Sequence, residues 1–118
     1  MYVSEETLDI DSLCRGDKDL SEALKRAFFI NPGRIPNTAK SFEEIGKKME
    51  QGGNRLLARV NYEIAGRLTL MNGDAESIRR FFSKSAELES DEHLAKIFKT
   101  LSSKCQEAAN AAEKYYDT

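Results

Sequence analysis

Residues 54–88, NRLLARVNYEIAGRLTLMNGDAESIRRFFSKSAEL, decide how this chain folds. Within them Leu57, Val60, Ile64, Leu68 and Met71 step by three, four, four and three residues, the recurrence of one helix face. Arg55, Arg59, Glu63 and Arg67 run as a second stripe. The pattern predicts a helix over 54–71 with the apolar stripe buried and the charged stripe solvated. Asn72-Gly73 offers a left-handed helix end, and Asp74 an N-cap for the next helix, whose inward residues are Ile78, Phe81, Phe82 and Leu88. So short a connection between two helices makes an antiparallel hairpin.

The same reading extends both ways. Upstream, Asp19 and Glu22 have the spacing of a capping box and open a helix with Leu20, Ala23, Leu24, Ala27 and Phe28 on one face, ended by Asn31-Pro32-Gly33. Arg34-Ile35-Pro36-Asn37 then reads as a loop and a candidate contact site. Ser41 and Glu44 repeat the capping pattern before a short helix with Phe42, Ile45 and Met49 inward, closed by Gly52-Gly53. Downstream, Ser90 or Asp91 caps the longest segment, where Leu94, Ile97, Phe98, Leu101, Cys105, Ala108, Ala112 and Tyr115 alternate three and four apart. A single helix over 92–116 would be about 37 Å long. Residues 1–18 carry Leu8, Ile10 and Leu13 toward one short helix ended by Gly16, but no stable amphipathic face, so they are expected to be the least ordered part. With almost no β-branched alternation, the fold class is all-α: a bundle or array of five to six helices with a helical hairpin and a long C-terminal helix, forming one domain over residues 1–118.

Composition narrows the function classes. The chain is 40% apolar and 32% charged, an ordinary globular mixture, with a net charge of −2 that speaks against a dedicated nucleic-acid binder. Residues 1–22 carry −5, residues 23–84 carry +6 and residues 85–118 carry −3, a distribution that predicts acidic ends packed beside a basic centre. No apolar run is long enough for a membrane span, and the first residues lack the basic start and apolar stretch of a signal peptide, so a cytoplasmic location is expected. Cys14 and Cys105 read as free thiols, Cys105 as a small core residue and Cys14, beside Arg15, as the more reactive one. His93 is the single histidine and reads as a surface residue. Zinc, phosphate-loop and nucleophile motifs are missing, so no catalytic residue, metal or cofactor is expected and the chain reads as a non-enzyme.

Tyr62-Glu63-Ile64-Ala65-Gly66, Asn72-Gly73-Asp74-Ala75-Glu76 and Phe81-Phe82-Ser83-Lys84-Ser85-Ala86-Glu87-Leu88 together resemble a tetratricopeptide repeat, a helix-turn-helix unit of 34 residues. Tyr62, Gly66, Gly73-Asp74 and Phe82 fall where that family has an aromatic, a small residue, a Gly-Asp turn and a second aromatic. Thr69, Ile78, Ser85 and Ser90 depart from it, and no second copy follows at a 34-residue offset. The resemblance covers residues 55–90 or so. It implies that Gly66 allows a close helix crossing filled by Tyr62 and Phe82, and that Glu63, Arg67 and Leu70 face the side on which such domains hold extended peptides. Arg67 stands where the family's carboxylate-binding members carry asparagine.

Three functions compete on these grounds. The first is a non-enzymatic module binding a protein or peptide through Glu63, Arg67, Leu70, Arg55 and Arg59 together with the loop at 31–40. The second is a small ligand-binding bundle or enzyme with a pocket lined by Tyr62, Glu63 and Arg67. The third is a nucleic-acid-associated protein using Arg55, Arg59, Arg79 and Arg80. The end of the C-terminal helix, with Ala108, Ala112 and Tyr115, needs a cover: either a second copy of the chain or the N-terminal segment, its acids set near Lys104 and Lys114.

Overall fold

Short polar side chains start the helices. In the computed structural model, which describes residues 9–28 and 38–116, Asp9 caps α1 (Ile10–Leu13), Asp17 caps α2 (Lys18–Ala27) and Thr38 caps α3 (Ala39–Gln51). Asn54, Asp74 and Asp91 do the same for α4 (Arg55–Asn72), α5 (Ala75–Leu88) and α6 (Glu92–Ser103). Each cap accepts a hydrogen bond from a backbone N–H that the helix cannot satisfy. The seventh helix, α7 (Cys105–Tyr116), follows α6 with one residue between them. The described residues contain no strand, so the all-α class holds.

Neighbours in sequence are neighbours in space. α3, α4, α5 and α6 pack in succession, each pair joined by two or three residues, which forces alternate directions. The α4–α5 turn needs Gly73, whose φ of 68° is left-handed and closes the helix with an N–H to the Leu70 carbonyl. α7 lies across α4 and α5, α2 rests on α6, and α1 sits on α2 and α7. The larger core joins Leu20, Leu24, Leu70, Ile78, Phe82, Phe98 and Leu101 with the alanines of α7; a smaller one joins Ala58, Tyr62, Ala65, Phe81 and Leu88 beneath α3. Ile78, Phe81, Phe82 and Leu88 are all buried, as their spacing predicts.

Four expectations need correction. The C-terminal helix is not continuous: Lys104, at φ −108° and ψ 36°, separates α6 from α7, and the second half packs on α4 and α5. Periodicity continues through such a break because both halves bury a face in the same core. Ala108, Ala109, Ala111 and Ala112 are all buried there, since methyl-sized side chains let α7 sit closely against its neighbours on a wide arc. Residues 9–18 are also built into the fold: α1 is followed by a turn with Arg15 at φ 54° and Gly16 at φ 85°, and Cys14 is in the core. The N-terminal segment therefore covers the C-terminal stripe, with Lys104 Nζ 2.6 Å from Asp17 Oδ2 and Phe28 stacked on Tyr115 at 4.2 Å. α2 starts from Asp17 rather than Asp19, and α3 from Thr38 rather than Ser41. The expected loop at 34–37, with the helix end at 31–33, lies outside the described residues.

The fourth correction concerns α4, which buries the opposite face from the one expected. Its buried residues are Ala58, Arg59, Tyr62, Glu63, Ala65, Gly66, Thr69 and Leu70. Leu57 and Met71 are exposed, and Val60, Ile64 and Leu68 are half-buried. α4 is the central helix, contacted by α3, α5 and α7, and the face carrying Ala58, Ala65 and Gly66 is the one on which backbones can approach. A Cβ built on Gly66 would lie 2.8 Å from the Phe82 ring, and one on Gly46 of α3 would lie 3.3 Å from the Tyr62 ring. Thr69 and Ser85 are buried without loss because their hydroxyls donate to the carbonyls of Gly66 and Phe81.

Candidate functional site

Arg59 and Glu63 stand one turn apart on the buried face of α4, and their charges are met by charges from elsewhere. Arg59 Nη1 bonds to Glu63 Oε1, and Arg59 Nε lies 2.9 Å from Oε1 of Glu89 in the α5–α6 connection. That second contact is ionic rather than an aligned hydrogen bond. Glu63 also takes Arg26 of α2, at 3.3 Å. Both guanidiniums stand over the Phe98 ring, Arg59 at 5.5 Å and Arg26 at 5.8 Å from its centroid. Arg59 and Glu63 are 8% and 6% exposed, which makes this a core ion network joining α2, α4, α5 and α6 rather than a solvated stripe.

The residues expected to meet a partner are therefore scattered. Leu70 is wholly buried in the larger core and presents nothing to a ligand. Glu63 spends its carboxylate inside the network. Arg67 donates from Nε to the Ala27 carbonyl at 2.8 Å, and its burial pushes the guanidinium down from its ordinary value. Arg55 is exposed and donates to the Glu87 carbonyl at 3.0 Å. Tyr62 turns to α3, where its hydroxyl donates to Glu50 Oε1 at 3.1 Å, so Tyr62, Glu63 and Arg67 do not gather around one pocket. Burial, then the Glu50 hydrogen bond, raises the Tyr62 pKa. The arginines set aside for nucleic acid are engaged too: Arg79 pairs with Glu76 and Arg80 with Glu43. Cys14 does not fit the reactive reading, since it is buried and its pKa is raised by that burial, while Cys105 is half-buried and packs against the larger core as expected.

Large apolar side chains are left facing outward. Leu56 is 65% exposed, Leu57 43%, Met71 38%, and Ile45 of the adjacent α3 37%. Together with Val60, Ile64 and Leu68 they make an apolar face along the full length of α4, and among the described residues none of these seven belongs to either core cluster. Sequence reasoning found this stripe and put it inside. Its one usable warning was the competing stripe of small residues, Ala58, Ala65 and Gly66, which marks the closer helix contact.

Elsewhere the surface offers less chemistry. A depression of about 410 Å³ between the C-terminal end of α4 and α7 is lined by Asn72, Gln106, Asn110, Glu113 and Tyr116 among others. Among the described residues no group of histidine, cysteine and acids is arranged to hold a metal ion, and no helix is long and apolar enough to cross a membrane. Compared with known proteins, the chain matches no family model, no curated protein and no solved structure.

Proposed function

We propose that the protein is a non-enzymatic helical interaction module that receives a protein or peptide partner on the outward face of α4. The observation that carries this reading is the exposure of Leu56, Leu57 and Met71 on a helix whose other face is buried. Soluble domains leave single apolar residues at the surface as a matter of course, but a contiguous row of them marks an interaction site. A row at i, i+3 and i+7 spacing is read by a second helix or an apolar groove. The tetratricopeptide-like reading of the α4–α5 hairpin belongs to the same proposal and is supported by the Gly66–Phe82 approach, with the docking side moved from Glu63, Arg67 and Leu70 to the outward stripe. A cytoplasmic location is part of this reading.

Site-specific photo-crosslinking in the native cell tests it. A photoactivatable residue replacing Leu57 yields adducts of discrete mass, and the same residue replacing exposed Lys96 on α6 does not. Loss of the Leu57 adducts on Met71→Glu places the contact on the stripe. The absence of adducts at position 57 overturns the proposal.

A further inference from the structure

The outward stripe of α4 reads the same in both directions. From Leu57 the steps to Val60, Ile64, Leu68 and Met71 are three, four, four and three, so the row is symmetric about Ile64. A helix packed antiparallel on an identical helix, with the two-fold axis beside Ile64, sets Leu57 against Met71 of the mate, Val60 against Leu68, and Ile64 against its own copy. Isologous contact requires that kind of self-complementarity, because whatever residue i meets must in turn meet residue i.

Charge allows it as well. Between Leu56 and Met71 the outward face carries no acid, and its one cation, Arg67, directs its Nε to the Ala27 carbonyl. Two copies can therefore meet without like charges opposed, and without a charge whose partner would have to come from a different protein. We infer that the partner received by α4 is a second copy of this chain, packed antiparallel across the Leu57–Met71 stripe. This inference rests on the interaction reading above and names its occupant. It also moves self-association from the C-terminal helix, where Ala108 and Ala112 are already covered, to α4.

The contact is small for a protein interface. α4 has 18 residues and is thus about 27 Å long, and contact along that length falls short of the roughly 800 Å² per partner of a standard interface. A reversible dimer is therefore expected, and it is sought at concentrations on the order of 10 to 100 µM.

Sedimentation velocity across that range, with the full chain, is the first arm of the test. The weight-average mass rises from the monomer's 13.3 kDa toward twice that value with concentration, and Leu57→Glu or Met71→Glu weakens association at least about tenfold, since each charge enters the contact twice. Circular dichroism shows that both variants keep their helices. The second arm reads geometry. Ile64→Cys forms a disulfide to its own copy, located by peptide mass spectrometry, whereas Leu57→Cys does so only when mixed with Met71→Cys. A chain that stays monomeric at 200 µM or so, or a dimer that persists in Leu57→Glu without a 64–64 link, overturns the inference. If the chain is monomeric and photo-crosslinking at position 57 captures a different protein, the module reading stands and the second copy is excluded. With no adducts at 57 either, both fall.

Discussion

A methyl group on Gly66 has nowhere to go. Its position, 2.8 Å from a Phe82 ring that is itself fully buried, forces either the ring or the α4–α5 spacing to move. On an open helix surface Gly→Ala stabilises by up to about 1 kcal/mol through helix propensity. At this crossing Gly66→Ala is expected to destabilise by about 1 to 3 kcal/mol, read as a lowered urea midpoint with unchanged slope. A neutral or stabilised variant contradicts the crossing. Gly66 was legible in the sequence because a glycine one turn from an aromatic, in a helix interior, has few other uses. Cys14 was misread for an equally local reason. Reactivity depends on burial, and no feature of Cys14-Arg15-Gly16 shows that the turn after α1 places its thiol in the core.

At the scale of one helix, α4 shows what a hydrophobic period can and cannot decide. The period is correct and the element exists where expected, but two stripes share it: one rich in large apolar residues, the other in small ones with an embedded ion pair. A helix covered from several sides buries the stripe that permits close approach, and its acids and bases enter the core provided each finds a partner. Arg59 finds Glu63 and Glu89, the second 30 positions further along the chain, a pairing no local pattern announces. This makes a ranking that inverts the sequence expectation. Glu63→Leu, which leaves the buried Arg59 and, at the surface beside it, the exposed Arg26 short of a counter-charge, is expected to cost about 3 kcal/mol. Leu57→Ser, on the face that the period assigned to the core, stays within about 0.5 kcal/mol when measured below the concentration of self-association. Chemical denaturation of the two variants side by side checks the order, and the reverse order restores the buried stripe.

For the whole molecule, the all-α class and the succession of hairpins from α3 to α6 were open to sequence reasoning because they rest on local caps, short turns and neighbouring contacts. The break between α6 and α7 was not, since an uninterrupted seam conceals the turn at Lys104. What joins the ends is partly electrostatic. Lys104, by its hydrogen bond, holds the Asp17 carboxyl below its ordinary value near 3.8, and the Leu20 N–H adds to the effect. A carboxyl whose folded pKa is depressed contributes stability that is complete above its unfolded value and is lost as the pH falls through the folded one. Asp17→Asn keeps a good helix cap but removes the charge. Its melting temperature is expected to lie below that of the natural chain at pH 7, with the difference shrinking as the pH falls below the ordinary carboxyl value near 3.8. A difference that persists undiminished at pH 2 assigns the effect to packing instead.

The meeting of Asp17 with Lys104 spans 87 positions, and it has a consequence in time. During synthesis the segment bearing Leu20 and Leu24 leaves the ribosome well before the surfaces that cover it, on α6 and α7. The central hairpins close small loops and need no help from α1, α2 or α7; α1 and α2 must stay unburied until α7 is made. Completion of the core thus waits on the emergence of α7, and a ribosome stalled before α7 holds a chain whose middle is folded and whose α1 and α2 are still waiting for their cover.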